Sequence, residues 1–326
     1  MNENSMIIIE RALKQGRILK ETDFSFCGER RVGKVRDMYD RKRDLVMITT
    51  DRQSAFDRVL AEVPFKGQVL SQVSGYWFDE TEDIVKNHII ESPHPNVHIV
   101  KKLAMFPVEF VVRGYLTGVS ATSVWTAYAR GDRKFAGHDL PDGLVKNVKF
   151  PEPLVTPSTK SDHGDETISV ADIVTRGLMT ERDRDACVEI VLELFARGQA
   201  LAHKNGLILV DTKYELGRDE KGNIVLADEI HTPDSSRYWL AEDYEARIKN
   251  NQEPKYIDKE FLRLWFKENS NPYKDASLPE APSELISELA RRYVLFYEKI
   301  TGKSFDYREA HWDVPLTAEI KKALTP

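Results

Sequence analysis

The stretch LILVDTKYELG, from Leu207 to Gly217, constrains the fold and chemistry of this chain more than any other segment. Successive side chains of a β-strand point to opposite faces, so residues two apart share a face. Ile208, Val210, Tyr214 and Leu216 then form an apolar side fit for a core, while Asp211, Lys213 and Glu215 project together from the other. The turn GRDEKGN follows, and IVLADEI (224–230) reads as a return strand, so the charged strand is one arm of a β-hairpin. The return strand brings Asp228 and Glu229, neighbours that alternation sends to opposite faces, and the hairpin register decides which joins the charged side. Carboxylates crowded on one surface repel one another unless positive charge sits among them. Lys213 offsets one charge. A divalent cation would offset more, and hard oxygen ligands suit Mg²⁺, which keeps waters and shares phosphate oxygens. The same pattern also fits a solvated, salt-bridged hairpin face.

Around this strand the chain alternates short strands with long helices. TERDRDACVEIVLELFARGQALAHKNG (180–206) predicts a helix capped by Thr180 and ended by Gly206. A second amphipathic helix is expected near 283–301, closed by Gly302. RRVGKVRDMYD (30–40) and DLVMITTD (44–51) read as two strands joined by a charged turn, with Lys34 and Arg36 sharing one face of the first. HIVKKLAMFPVEFVVRGYLTG (98–118) reads as two strands broken near Pro107, because proline removes a ladder donor. That break places a boundary between a strand-rich lobe, 1–105, and a larger lobe, 106–326, with a C-terminal helical extension. The proline-rich and then polar segment 150–169 reads as a long surface loop.

Composition removes several function classes. A net charge of −6 and a pI near 5.8 argue against a general nucleic-acid binder. Cys27 and Cys187 lack the spacing of a disulfide or zinc framework. Neither a secretory leader nor a membrane-length apolar run is read, so a cytoplasmic protein with no membrane partner is expected.

Further candidates lie at strand ends. Gly33-Lys34-Val35-Arg36 lacks the Walker pattern, yet its two cations suit a polyphosphate as well as an exposed basic face. TTDRQSAFD sets Asp51, Ser54 and Asp57 after an apolar strand, a pattern shared by site loops and ordinary turns. Arg113, followed by Gly114 and Gly118, suits a carboxylate or phosphate ligand or a structural ion pair. TPSTKSDHGDET supplies Lys160, His163 and Asp165, and TPDSSRYW supplies Ser235, Ser236 and Arg237 after the return strand.

Six stretches in this order, GKVRDMY, TTDRQSAFD, KKLAMFPVEFVVRGYLTG, TPSTK, LILVDTKYELG and LADEIHTPDSSRYW, resemble the SAICAR synthetase family of purine biosynthesis. The resemblance implies an α+β, two-lobed fold related to ATP-grasp and kinase arrangements, with an antiparallel-sheet N-lobe, a larger α+β C-lobe and ATP between them. It implies an ATP-dependent ligase that joins the carboxylate of carboxyaminoimidazole ribonucleotide (CAIR) to the amine of L-aspartate. By motif position, Lys34 and Arg36 would contact phosphates, and Lys101, Leu103 and Met105 would present the adenine-reading backbone. Glu215 and Asp228 would hold Mg²⁺. Asp211 would face the ribose or the metal region, and Lys213 the phosphate or the activated carboxylate, so that Lys213, Lys34 and Asp211 form the catalytic set. Asp51, Ser54, Arg113, Ser120, Lys160, Asp165, Ser236 and Arg237 would contact substrates. His163 is not carried over, because His163-Gly164-Asp165 departs from the family's pattern. The expected partners are CAIR, L-aspartate and ATP, with the chain a monomer or small homo-oligomer. Two rivals remain: a kinase-like phosphotransferase, although no H-R-D-x-x-x-x-N or D-F-G motif is found, and a non-catalytic nucleotide-binding module.

Overall fold

The computed structural model describes residues 3–56, 58–120, 122–160, 166–308 and 313–325. Asp57, His163 and Asp165 lie outside the described residues. The chain opens with helix α1 (Glu3–Lys14), then strands β1 (Glu29–Val32), β2 (Arg36–Asp40), β3 (Asp44–Thr49), β4 (Arg52–Ala55) and β5 (Arg58–Glu62). Helix α2 (Lys66–Glu80) leads to β6 (Ile89–His94), β7 (Val97–Lys101) and the long β8 (Ala104–Tyr115). Helix α3 (Val124–Ala129), the short β9 (Lys134–Phe135) and β10 (His138–Asp139), then β11 (Lys149–Val155) and β12 (Ser158–Thr159) follow. Helices α4 (Val170–Thr175) and α5 (Glu181–Lys204) precede β13 (Leu207–Arg218), β14 (Ile224–Ala227) and β15 (Ser236–Leu240). The chain ends in α6 (Tyr244–Lys249), α7 (Glu260–Asn269), α8 (Ser283–Thr301) and α9 (Asp313–Leu324). None of the described helices is long and apolar enough to cross a membrane.

Two compact units divide the chain. The first comprises Met1–Tyr76, His88–Lys102 and Ile257–Pro326, and the second Trp77–Asn87 and Leu103–Tyr256. This division is not the linear one expected from sequence, because residues 257–326 belong with the first unit. The reason is packing: α8 lies on α1, and Tyr293 of α8 donates to Gln53 Oε1 at 3.2 Å.

In the first unit an antiparallel sheet runs β1-β2-β3-β7-β6. Its core joins Tyr39, Val46, Ile48, Val97 and Ile99 to Leu316 and Ile320 of α9. The strand expected over 30–40 is a hairpin instead. Gly33 N–H donates to the Arg36 carbonyl at 2.7 Å, closing a turn that places Lys34 between strands rather than on a shared face with Arg36.

In the second unit β13 is a central strand. The sheet runs β11-β8-β13-β14, with β12 also on β8 and β15 also on β13. The hairpin expected from sequence is therefore one corner of a larger sheet, and the return strand stops at Ala227 rather than at 230. Pro107 does not break a strand; it lies inside β8. Glu215 pairs with Glu109 but Gly217 with Met105, so β8 bulges around Phe106–Val108 where the missing donor falls. The segment expected as a long loop holds β11 and β12, and Pro151 and Pro153 are tolerated in β11 because it is an edge strand.

Helix α5 packs on β13. Thr180 caps it, accepting from Asp183 N–H at 3.1 Å, and Gly206 ends it at φ 72°. The approach is close at Gly198, where a Cβ would lie 2.4 Å from His231 Cε1 and 2.7 Å from Leu209 Cδ2. Neither neighbour can yield: Leu209 is fully buried, and the His231 ring is held by Tyr214 Oη at 2.5 Å and the edge of Trp77. Overpacking costs about 1–3 kcal/mol, whereas alanine gains at most about 1 kcal/mol over glycine in a helix. Gly198→Ala is expected to lower stability by about 1–2 kcal/mol, read as a shift of the urea midpoint.

Candidate active site

The register of the second unit's sheet builds a charged face across β8, β13 and β15. Residues paired across neighbouring strands share a face, so Glu215 meets Glu109, Lys213 meets Val111, and Asp211 meets Arg113 on one side and Arg237 on the other. Along β13, the opposite side chains Val210, Tyr214 and Leu216 are fully buried and fasten this face to the core.

At one end of the face three carboxylates surround one ammonium. Lys213 Nζ lies 3.4 Å from Glu109 Oε1 and 3.3 Å from Asp228 Oδ2, and it also bonds Glu215 Oε1. Lys160, from the end of β12, bonds the other oxygen of Glu215 and stands 3.9 Å from Glu109. Burial pulls the Lys213 ammonium towards its neutral form, but Asp228, Glu215 and Glu109 outweigh it and hold its pKa well above the ordinary value. Burial pushes the Glu109 carboxyl up to about 6, against the pull of Lys213 and with Glu215 adding repulsion.

At the other end Asp211 clamps two guanidiniums. Arg237 donates through Nε at 2.9 Å and Nη2 at 2.5 Å, a bidentate pair, and Arg113 Nη1 lies 3.5 Å away. Arg113 Nε donates to Thr156 Oγ1 at 2.9 Å. Burial, with Arg237 nearby, lowers the Arg113 pKa to about 10 even though Asp211 opposes it. Gly118 makes room for this end: at φ 107°, a Cβ there would meet Arg237 Nη1 at 2.7 Å.

The structure separates Asp228 from Glu229, which sequence left open. Asp228 takes a left-handed backbone, φ 61°, just past β14, so strand alternation no longer governs it. Its carboxylate reaches Lys213, whereas Glu229 accepts from the Thr232 hydroxyl. Glu109 was not singled out in the sequence; a lone glutamate in the apolar run VEFVV was the available signal.

Not every expected residue joins the charged face. Ser236 pairs with Thr212 on the other side of the sheet, where its hydroxyl donates to Thr212 Oγ1 at 2.7 Å and is buried. Ser120 lies in the bend before α3, its carbonyl accepting from Ser123 N–H at 3.1 Å. In the first unit Asp51 is fully buried, and its two oxygens accept from Leu19 N–H at 2.8 Å and Gly67 N–H at 2.9 Å. Those bonds tie the Asp51 carboxylate to the backbone at Leu19 and at Gly67. Ser54 lies in β4, its carbonyl accepting from Lys259 Nζ at 3.3 Å. Lys34 lies in the β1–β2 turn and Arg36 begins β2. Lys101 ends β7, Leu103 precedes β8, and Met105 lies in β8, 41% exposed.

Among the described residues no group of three or more acidic, histidine or cysteine side chains forms a metal cage. Glu215 and Asp228 nevertheless converge on one cation, Lys213, with hard oxygen donors. Two carboxylates of this kind suit Mg²⁺, which takes its remaining ligands from water and phosphate.

A sequence model described as SAICAR synthetase matches residues 29–279. A phosphoribosylaminoimidazole-succinocarboxamide synthase of Legionella pneumophila strain Lens is 56% identical over 289 residues, covering 89% of this chain and 92% of that protein. Two solved structures are also similar. A SAICAR synthase from Saccharomyces cerevisiae complexed with SAICAR has a TM-score of 0.75 at 30% identity, covering 88% of this chain and 99% of that one. A SAICAR synthetase in complex with ADP has a TM-score of 0.65 at 28% identity, covering 86% of this chain and 100% of that one. The antiparallel sheets that carry this charged face belong to a fold shared with the solved SAICAR synthetases. The chain belongs to the SAICAR synthetase family.

The Glu109 carboxyl yields a stability test on the metal-free protein. Its pKa rises from an ordinary 4.5 to about 6 on folding, so between those values the folded state binds more protons than the unfolded state. Stability from this group is present below pH ~4.5 and is lost as pH rises through ~6. Relative to Glu109→Gln, the wild type is expected to lose up to about 2 kcal/mol across that window, measured by urea unfolding in chelator.

Proposed function

We propose that this chain joins the carboxylate of CAIR to the amine of L-aspartate, consuming ATP and releasing SAICAR, ADP and phosphate. The observation that carries the reading is the charged face of β8 and β13, where Lys213 sits among Glu109, Glu215 and Asp228 beside the Arg113–Asp211–Arg237 row.

A carboxylate resists attack by an amine because its negative charge repels the nucleophile and oxide is a poor leaving group. Activation removes both obstacles. A carboxylate oxygen of CAIR attacks the γ-phosphorus of ATP, ADP leaves, and an acyl phosphate forms. The aspartate amine then attacks the acyl carbon and phosphate departs, carrying that oxygen. Both steps concentrate negative charge in a small volume, and preorganised cations stabilise it as it develops.

Lys213 is such a cation, kept charged by its three carboxylates. Lys34 and Arg36 contact the nucleotide phosphates. Arg113 and Arg237, aligned by Asp211, grip the anionic substrates. Lys160 neutralises charge from the β12 end. Lys101, Leu103 and Met105 offer backbone to the adenine edge. Glu215 and Asp228 would hold Mg²⁺, which supplies Lewis-acid polarisation of the transferred phosphoryl group when bound. Holding three substrates together also lowers the entropic part of the barrier, with effective molarities of about 10⁵–10⁸ M for well-aligned groups.

A coupled assay with CAIR, L-aspartate and MgATP tests the reading. The wild type is expected to turn over only with all three, and ADP release without aspartate would favour a phosphotransferase instead. Glu215→Gln, with an unchanged melting temperature, should lower kcat by at least about 10²-fold. For the intermediate, ¹⁸O placed in the CAIR carboxylate is expected in the released phosphate; unlabelled phosphate excludes the acyl phosphate.

A further inference from the structure

Arg52 ties the Gly33–Val35 turn to the body of the first unit. Its Nη2 donates to the Gly33 carbonyl at 2.9 Å and to Asp37 Oδ1 at 2.8 Å. Its Nε donates to the Lys34 carbonyl at 3.2 Å, and its Nη1 to the Lys20 carbonyl at 2.5 Å. Asp37 is fully buried and is held in turn by Thr22 N–H at 2.7 Å and the Arg30 guanidinium at 3.1 Å. Two residues before Arg52, Thr50 donates both its N–H and its hydroxyl to the Val35 carbonyl, each at 2.9 Å. The segment 50–52 thus occupies the carbonyls of Gly33, Lys34 and Val35.

Those contacts matter for an anion. A carbonyl oxygen directed at a phosphate repels it, and a peptide plane free to rotate presents either its carbonyl or its N–H. A turn whose carbonyls are bound elsewhere keeps its peptide planes fixed. The planar fork of a guanidinium reaches several acceptors at set angles, which a lysine ammonium cannot do. Only 11% of the Arg52 side chain is exposed, and the buried Asp37 fixes its orientation.

We infer that Arg52 is a positioning residue for nucleotide binding: it sets the turn that presents Lys34 to the phosphates of a nucleoside diphosphate. The inference rests on the proposed phosphate contact of Lys34, and the test separates the two. ADP affinity is measured calorimetrically, with magnesium, for the wild type, Arg52→Lys, Lys34→Ala and the double variant. Amide exchange at residues 33–36 and steady-state constants are read on the same proteins. Arg52→Lys is expected to weaken ADP about 10- to 100-fold, raise KM for ATP but not for aspartate, and quicken exchange at 33–36. The double variant should bind ADP no worse than Lys34→Ala alone, because the two residues act through one turn. Additive losses, or normal ADP binding by Arg52→Lys while Lys34→Ala is weakened, overturn the positioning role. Normal ADP binding by Lys34→Ala removes the phosphate contact itself, and the inference with it. Should Arg52→Lys fail to fold, Thr50→Val, which deletes one bond to the Val35 carbonyl, is expected to show the same pattern at smaller size; unchanged affinity and exchange in that variant refute the inference.

Discussion

Glu109 and Glu215 stand directly across from each other on adjacent strands, and the charged face depends on that pairing. Like charges placed opposite one another in a sheet are destabilising. Here two lysines reach between them: Lys213 contacts both carboxylates, and Lys160 approaches both. Asp228 adds a third carboxylate to Lys213. The protein thus holds acidic groups together that would separate in water, and the fully buried Val210, Tyr214 and Leu216 on the reverse side keep the strand in place. A one-residue slip of β13 would turn these three outward and bury the charges. Stability of the core and placement of the charges are therefore set by the same register.

Much of this was legible in the sequence, because a period of two in charge is as readable as a period of two in hydrophobicity. Asp211, Lys213 and Glu215 could be put on one face from spacing alone, the cap of α5 followed from Thr180, and the ends of α5 and α8 from Gly206 and Gly302. Glu109 was hidden for the complementary reason. A single acid in an apolar strand has no period, and only the partner strand shows that it faces Glu215. The face that Ser236 takes is not legible from motif position, which carries no information about face. Its pairing with Thr212 turns it away, while its neighbour Arg237 pairs with Asp211.

Backbone irregularities account for the other differences. Asp228 at φ 61° leaves the strand pattern, so the choice between it and Glu229 could not be made by alternation. Pro107 resembled a strand break, yet a bulge absorbs it and lets β8 continue to Tyr115. Without that bulge the pairing of Met105 with Gly217 would not be compatible with the pairing of Glu109 with Glu215. A single residue lacking an N–H is thus built into the register that assembles the acids.

The two units use buried carboxylates for a common purpose. Asp211 aligns Arg237 and Arg113, and Asp37 aligns Arg52 and Arg30. A guanidinium has a rigid fork, so fixing one edge fixes the direction of the rest. In the first unit that direction is spent inward, on backbone carbonyls of a turn. In the second it lies on the sheet face that also carries Lys213. Identical side-chain chemistry therefore braces a turn in one place and lines a charged sheet face in the other, and the distinction comes from what surrounds the fork. A lysine at either position would keep the charge and lose the direction, so the arginines are required for geometry more than for charge.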